Sequence, residues 1–162
     1  MREPTRTFEL LELLSRHGVE FIVVGMTSAV LQGAPALTFD LDIVYLRNDE
    51  NVARLLAALG EIGALFRDDP RRIAPNRSHL ASPGHKLLDT TLGHFDVLGS
   101  LDERVGYAEL LPDTTTLNVS GLSVRVLTLK RLIVEKERAG RQKDKAVLPL
   151  LRATLARSNA SK

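Results

Sequence analysis

The feature that most constrains the fold is a four-residue run, Phe21-Ile22-Val23-Val24, in which every side chain is apolar. A run this short and this uniformly apolar, ending at Gly25, is typical of a buried strand. The segment before it, 7–17, carries apolar residues at helical spacing and ends at a glycine, so it predicts a helix. The segment after it, 26–32, predicts a second, short helix. The chain therefore opens with a helix, a strand and a helix.

The remaining segments predict further strands and helices in a fixed order. A strand is expected at 39–46, a helix after an N-cap at Asp49, and mostly loop over 68–84. Two hairpins follow, which pair 86–91 with 94–98 and 117–119 with 122–126. Two terminal helices are expected at 128–139 and 143–157, and Pro149 should kink or split the second of them. The order predicts an α+β (α/β-like) fold, a small mixed sheet with helices packed on it, in one domain over 1–162.

Charge and composition exclude several classes of protein. The chain has 22 basic and 20 acidic residues, a net charge of +2, so it has no overall attraction to nucleic acid, although local patches remain open. It contains no cysteine, which excludes disulfides and thiolate metal sites. No apolar run approaches the length of a membrane span, and Met1-Arg2-Glu3-Pro4 precedes no apolar signal region. We therefore expect a cytoplasmic protein without a membrane partner.

Three aspartates form the first candidate site. Asp40 and Asp42 are two apart in a predicted strand, so they share one face of it. Neighbouring carboxylates repel each other unless a cation lies between them, and Asp96 in a later strand would complete an oxygen-ligand set for Mg²⁺. The alternatives are a solvated strand end for the first two, and a turn or a pair with an arginine for Asp96.

The turn Gly25-Met26-Thr27-Ser28 joins the apolar strand to the start of a helix. Backbone N–H groups at such a start, with a serine hydroxyl beside them, are able to hold a phosphate. The alternative is an ordinary strand-to-helix turn in which Ser28 or Thr27 is the N-cap.

The two terminal helices each place a charged residue on an apolar stripe. Lys136 continues the stripe of the first helix and Asp144 precedes that of the second. Because unpaired polar groups are costly on core-facing positions, we expect both to point into the domain, towards one another or towards the site. A structural ion pair, or a lysine that extends outward, is the alternative. A basic cluster nearby fits either RNA phosphates or a solvated face; it comprises Lys130, Arg131, Arg138, Arg141, Lys143 and Lys145.

The ordered set Gly25, Asp40, Asp42 and Asp96 resembles the nucleotidyltransferase superfamily with the DNA polymerase β-like fold. Several segments are most similar to bacterial nucleotidyltransferase-like toxins of the abortive-infection, type IV toxin–antitoxin group; they are Val24-Gly25-Met26, Gly33-Ala34-Pro35, Thr38-Phe39-Asp40-Leu41-Asp42 and Lys136 with Lys143-Asp144. The resemblance covers about 19–155. It implies a core at about 19–126 followed by the helical pair.

The resemblance implies a magnesium-dependent (or Mn²⁺-dependent) transfer of a nucleotidyl group from an NTP such as ATP to a hydroxyl. The acceptor would be an RNA, such as a tRNA 3′ end, or a protein, and a toxin would have an antitoxin partner. Asp40, Asp42 and Asp96 would be the catalytic metal ligands. Nucleotide binding would fall to Gly25, Thr27, Ser28, Lys136 and Asp144.

Two other functions remain open. A non-catalytic binding or regulatory module of the same fold is favoured by Met26, which replaces the second glycine of the usual turn, and by Ala36, where relatives often have an arginine. Nucleotidylation of an antibiotic is disfavoured, because we expect it to need a substrate-binding domain for which 162 residues leave little room.

Overall fold

The computed structural model describes residues 5–38 and 40–160. The segment Met1-Arg2-Glu3-Pro4 and Phe39, which begins the second predicted strand, lie outside these residues. No helix in the described ranges is long and apolar enough to cross a membrane.

Helices and strands alternate as far as the strand His85–Thr90, and the described chain ends in two helices. The helices are α1 Thr7–Arg16, α2 Gly25–Leu31, α3 Asp49–Glu61, α4 Arg77–Ala81, α5 Tyr107–Leu110, α6 Leu129–Ala139 and α7 Gln142–Ala160. The strands are β1 Phe21–Val24, β2 Leu41–Tyr45, β3 Leu65–Phe66, β4 His85–Thr90, β5 Gly93–Leu98, β6 Ser100–Asp102, β7 Val105–Gly106, β8 Thr114–Val119 and β9 Leu122–Leu127.

The main sheet is mixed, as the sequence predicts. Its strand order within the described residues is β3-β4-β5-β2-β1-β9-β8, and β6 and β7 form a separate ribbon. β1 runs antiparallel to β2, whereas β2 and β5 are parallel and β1 and β9 are parallel. The apolar run 21–24 is therefore an interior strand with neighbours on both sides, β2 and β9.

Helices cover both faces of the sheet, which explains why β1 is apolar throughout. Phe21 and Val23 belong to a core shared with α1, α3 and α4. Ile22 and Val24 point to the other face and belong to a core shared with α2, α5, α6 and α7. Since successive side chains in a strand point in opposite directions, only a fully apolar strand satisfies both cores.

Some predicted boundaries are wrong. The N-cap of α3 is Asn48 and not Asp49, because the Asn48 side chain accepts a hydrogen bond of 2.8 Å from the backbone N–H of Asn51. β2 begins at Leu41, so Asp40 precedes the strand. The predicted loop 68–84 contains α4, which Asn76 and His79 cap by exchanging two backbone-to-side-chain hydrogen bonds.

The expected split at Pro149 does not occur. α7 continues through Pro149, although proline lacks the N–H that its helical position would use. Leu148 and Leu151, on either side of it, are buried in the second core, so packing stabilises the helix on both sides of the proline.

Candidate functional site

Strand pairing brings two of the three predicted aspartates side by side. β2 and β5 are parallel neighbours, and their register pairs Asp42 with Asp96. On its other side, Asp42 pairs with Val24, the last residue of β1, which Gly25 follows. The two carboxylates therefore share one face of the sheet beside the turn into α2.

Asp42 is poorly compensated within the protein. Its Oδ1 is buried and accepts no hydrogen bond from the described residues. Burial raises the pKa of Asp42 to about 7, the negative charge of Asp96 adds to the rise, and Lys136 opposes it. A carboxylate in this position would gain stability from a cation beside it.

Gly25 makes room for the Asp42 carboxylate. It adopts a φ of +65°, in the left-handed region that favours glycine. A Cβ at this position would lie 2.8 Å from Asp42 Oδ2, closer than real Cβ contacts. Gly25 is therefore needed both for the turn and for the placement of the acidic side chain.

Asp96 is paired with an arginine, the alternative that the sequence left open. Arg67 Nη2 donates to Asp96 Oδ1 over 2.7 Å, and both side chains are nearly buried. Arg67 also donates to the Leu88 carbonyl over 2.9 Å and lies 3.3 Å from Asp89 Oδ1 through Nε. Sequence reasoning missed Arg67, because it follows the two-residue strand β3, which has too few residues to show periodicity.

Asp40 directly precedes β2, two residues before Asp42. Its Oδ1 is 3.3 Å from Nδ1 of His94, whose Nε2 is 3.0 Å from Asp89 Oδ1. β2 begins one residue after Asp40. His94, which Asp40 contacts, is two residues from Asp96 in β5 and therefore points to the same face of the sheet as Asp96.

The site fits a cation through two carboxylates. Asp42 and Asp96 are adjacent, and the buried Oδ1 of Asp42 lacks a partner among the described residues. Across residues 5–38 and 40–160, however, no group of three His, Cys, Asp or Glu side chains is arranged to hold a metal. The three-carboxylate set that the resemblance implies is not assembled, because His94 holds Asp40 and Arg67 holds Asp96.

The hydroxyls of the turn contact protein groups. Thr27 Oγ1 donates to the Asp40 carbonyl over 2.9 Å, and Ser28 Oγ donates to the Gly25 carbonyl over 2.7 Å. Both side chains are buried. The alternative in which one of them is the N-cap of α2 is wrong, because Val24 is the N-cap and makes no side-chain cap. Their binding to phosphate stays a prediction.

Lys136 and Asp144 point inward and form an ion pair, as their places on the apolar stripes predict. Lys136 Nζ is 3.3 Å from Asp144 Oδ1, and Arg141 Nε donates to Asp144 Oδ2 over 2.6 Å. Asp144 is fully buried. The bond from Arg141, with help from Lys136, lowers the pKa of Asp144 to about 2. Asp144 is therefore a fully compensated carboxylate.

These groups line one cleft of about 420 Å³. Asp42 and Asp96 lie on the sheet side, and Lys136 and Lys143 come from α6 and α7. The apolar part of the wall comprises Leu87, Leu98, Leu101, Leu127, Leu132 and Ala139. Ionisable side chains make up half of the lining; they are Asp42, His85, Asp96, Glu135, Lys136, Arg141, Lys143 and Asp144. A cleft of this size with converging polar groups is typical of a small-molecule site. Met26, which packs against the second core, does not line it.

The members of the basic cluster differ in their contacts. Arg131 is bound to Glu135 and Asp113, and Arg138 to Glu135. Arg141 contacts Asp144. These three arginines are held by carboxylates, which favours the solvated-face interpretation over RNA binding for them.

Sequence comparison finds no relative. No protein-family model matches the chain, and no curated protein matches it.

Solved structures, in contrast, share its fold. The chain is similar to the lincosamide antibiotic adenylyltransferase LnuA in its lincomycin-bound crystal structure (14% identity, TM-score 0.64), over 93% of this chain and 98% of that one. It is also similar to the antibiotic-resistance factor ANT(2″)-Ia (13% identity, TM-score 0.60), over 92% of this chain and 82% of that one. A third match is an antigenic nucleotidyltransferase-like protein from Paracoccidioides brasiliensis (18% identity, TM-score 0.60), over 91% of this chain and 72% of that one.

The fold is that of nucleotidyltransferase structures. This confirms the fold that the resemblance implies, and at these identities it shows the fold alone. Nearly the whole of the LnuA chain aligns with 93% of the present one.

Proposed function

We propose that this protein transfers a nucleotidyl group from an NTP to an acceptor hydroxyl with release of pyrophosphate. The observation that carries the proposal is the pair Asp42 and Asp96 on the wall of a cleft of about 420 Å³, with the buried Oδ1 of Asp42 lacking a hydrogen bond from the described residues. The shared fold supports it. In a structural ion pair, by contrast, both oxygens are compensated, as they are in Asp144.

Asp42 and Asp96 would hold Mg²⁺ or Mn²⁺, and Asp40 would join them once it leaves His94. A divalent cation in such a site neutralises triphosphate oxygens and lowers the pKa of the attacking hydroxyl. Asp96 is the residue that we assign to receive the acceptor proton. Gly25 keeps the space for the Asp42 carboxylate.

We assign to Lys136 the role of offsetting the negative charge of the triphosphate. Its ammonium group lines the cleft, and it acts on the Asp42 carboxylate electrostatically. Asp144 and Arg141 fix its position from behind, so that the ammonium is oriented before the nucleotide binds. The resemblance further assigns phosphate contacts to Thr27 and Ser28, which would act through the turn that their hydroxyls stabilise.

The acceptor that we propose is the hydroxyl of an RNA, such as a tRNA 3′ end, or of a protein. This follows the resemblance to nucleotidyltransferase-like toxins, and it includes an antitoxin as a partner.

A second candidate acceptor is a small hydroxylated molecule of the antibiotic class. It is favoured by the alignment with nearly all of LnuA and by the apolar wall of the cleft, which includes Leu87 and Leu101.

The test is transfer of label from each α-³²P NTP, with Mg²⁺ or Mn²⁺, into cell RNA, cell protein and a panel of hydroxylated antibiotics. Asp42→Asn removes the charge at the site, and Asp49→Asn is the matched control, since Asp49 is exposed on α3 across the sheet. Label that appears in one fraction, disappears with Asp42→Asn and persists with Asp49→Asn supports the proposal and identifies the acceptor class. Absence of label in every fraction would favour the non-catalytic module.

A further inference from the structure

Arg67 provides one of the two neighbouring carboxylates with a positive partner. Its Nη2 donates to Asp96 Oδ1 over 2.7 Å, and its side chain is 14% exposed. Asp42, in register beside Asp96, lacks any such partner at Oδ1 among the described residues. The Arg67 guanidinium therefore binds the Asp96 carboxylate, which a cation at Asp42 would also contact.

Arg67 also has contacts that do not depend on Asp96. The same Nη2 donates to the Leu88 carbonyl over 2.9 Å, and Nε lies 3.3 Å from Asp89 Oδ1. If the bond to Asp96 breaks, the guanidinium keeps a carboxylate and a carbonyl as acceptors. Release of Asp96 therefore does not leave a buried unpaired charge, which would be the main cost of breaking an ion pair in this position.

We propose that Arg67 is a built-in counter-ion, which holds Asp96 in the cation-free protein and releases it when a divalent cation binds at Asp42 and Asp96. This rests on the cation site of the proposed function. Arg67 therefore competes with the cation, and it keeps two adjacent carboxylates from facing each other uncompensated when no nucleotide is present. On release the guanidinium stays on Asp89, at the edge of the same site.

A permanent positioning pair is the competing explanation, and the two differ in what a cation does to Arg67. In the wild-type chain, the side-chain ¹⁵N–H signals of Arg67 are assigned by comparison with Arg67→Lys and followed during a Mg²⁺ titration. We expect the Nη signals to lose their separate, hydrogen-bonded positions at the concentration at which the Asp42 backbone amide shifts. Nη signals that stay unchanged at Mg²⁺ saturation would overturn the proposal, as would the absence of Mg²⁺ binding.

Cation affinity gives a second, independent test. Free Mn²⁺ is titrated by electron paramagnetic resonance against the wild type, Arg67→Gln and Arg71→Gln. Arg71 is the matched control, because it pairs with Asp69 on the surface. Removing a competing charge near the site should tighten Mn²⁺ binding about tenfold or more for Arg67→Gln and leave Arg71→Gln unchanged. Equal or weaker Mn²⁺ binding by a folded Arg67→Gln would contradict the proposal. If that variant does not fold, the Mg²⁺ titration of the wild-type Arg67 signals decides the question.

The label-transfer assay separates failure of this inference from failure of the proposed function. Transfer of label by a protein whose Arg67 does not respond to Mg²⁺ overturns the counter-ion role and leaves nucleotidyl transfer intact. No Mn²⁺ binding together with no transfer would overturn both.

Discussion

Two inward-facing aspartates, Asp42 and Asp144, have opposite electrostatic environments. Asp144 is fully buried between α6 and α7, where Lys136 and Arg141 contact both of its oxygens. Asp42 lies on the central strand β2 beside another carboxylate, and its buried Oδ1 lacks a hydrogen bond from the described residues. The pKa of Asp144 falls to about 2 and that of Asp42 rises to about 7.

The difference distinguishes a carboxylate that stabilises the fold from one that is available for binding. The negative charge of Asp144 is stabilised by side chains of the protein itself, and Asp144 in turn orients Lys136 towards the cleft. Asp42 costs stability when ionised, and a bound cation would offset that cost. Perturbed ionisable groups occur at both structural and functional sites, so the direction of the shift is more informative than its size.

The largest contrast is expected in activity. Asp42→Asn removes a proposed ligand and should lower nucleotidyl transfer by about 10²- to 10³-fold or more, while the variant remains folded. Initial rates of label incorporation at saturating NTP measure this effect. Asp49→Asn should retain the wild-type rate. Wild-type activity in folded Asp42→Asn would contradict the assignment of Asp42.

The next contrast is in stability. Asp144→Asn leaves Lys136 and Arg141 without their shared carboxylate and should lower the free energy of unfolding by about 2 kcal/mol. Asp42→Asn, which removes an uncompensated charge, should leave that free energy at neutral pH unchanged or higher. Urea unfolding of both variants measures the two changes. Equal losses would mean that the two aspartates are equivalent structural groups.

Gly25→Ala tests how closely Asp42 is held. The substitution forces alanine into a left-handed conformation, at a cost of about 1 kcal/mol, and places a Cβ 2.8 Å from Asp42 Oδ2. Gly63→Ala is the matched control, since Gly63 has a φ of +59° with no atom within 4 Å of the added Cβ. Gly25→Ala should lose more stability than Gly63→Ala in thermal unfolding, and Gly63→Ala alone should keep the transfer rate. Identical losses would show that the Asp42 carboxylate moves aside freely.

The smallest contrast is in the pH dependence of stability. The raised pKa of Asp42 means that its favourable contribution is complete below about pH 4 and is lost as pH rises through about 7. The lowered pKa of Asp144 means that its contribution is present above about pH 4 and is lost as pH falls through about 2. Urea unfolding of the wild type and Asp42→Asn between pH 4 and 8 should show the variant gaining relative stability with pH. A constant difference would contradict the raised pKa.

The sequence predicts features that depend on local pattern. The apolar run of β1, the hairpin of β4 and β5, and the inward pairing of Lys136 with Asp144 all follow from periodicity and from the cost of an unpaired charge. The order of elements is sufficient to predict a mixed sheet covered by helices.

Features that depend on register and short elements are not predictable in this way. The ion pair between Arg67 and Asp96 requires β3, β4 and β5 to pair in one particular register, which a two-residue strand does not reveal. The start of β2 after Asp40 depends on the end of a loop. The continuity of α7 through Pro149 depends on packing against the second core.

The assignment of Asp42 as a cation ligand in a nucleotide cleft is best tested by crystals grown with Mn²⁺ and a non-hydrolysable NTP analogue. Anomalous scattering at the manganese edge locates the cation without prior assumption. We expect a peak bonded to Asp42 Oδ1 and shared with Asp96, with the triphosphate extending towards Lys136. A nucleotide bound with its cation away from both aspartates would contradict it.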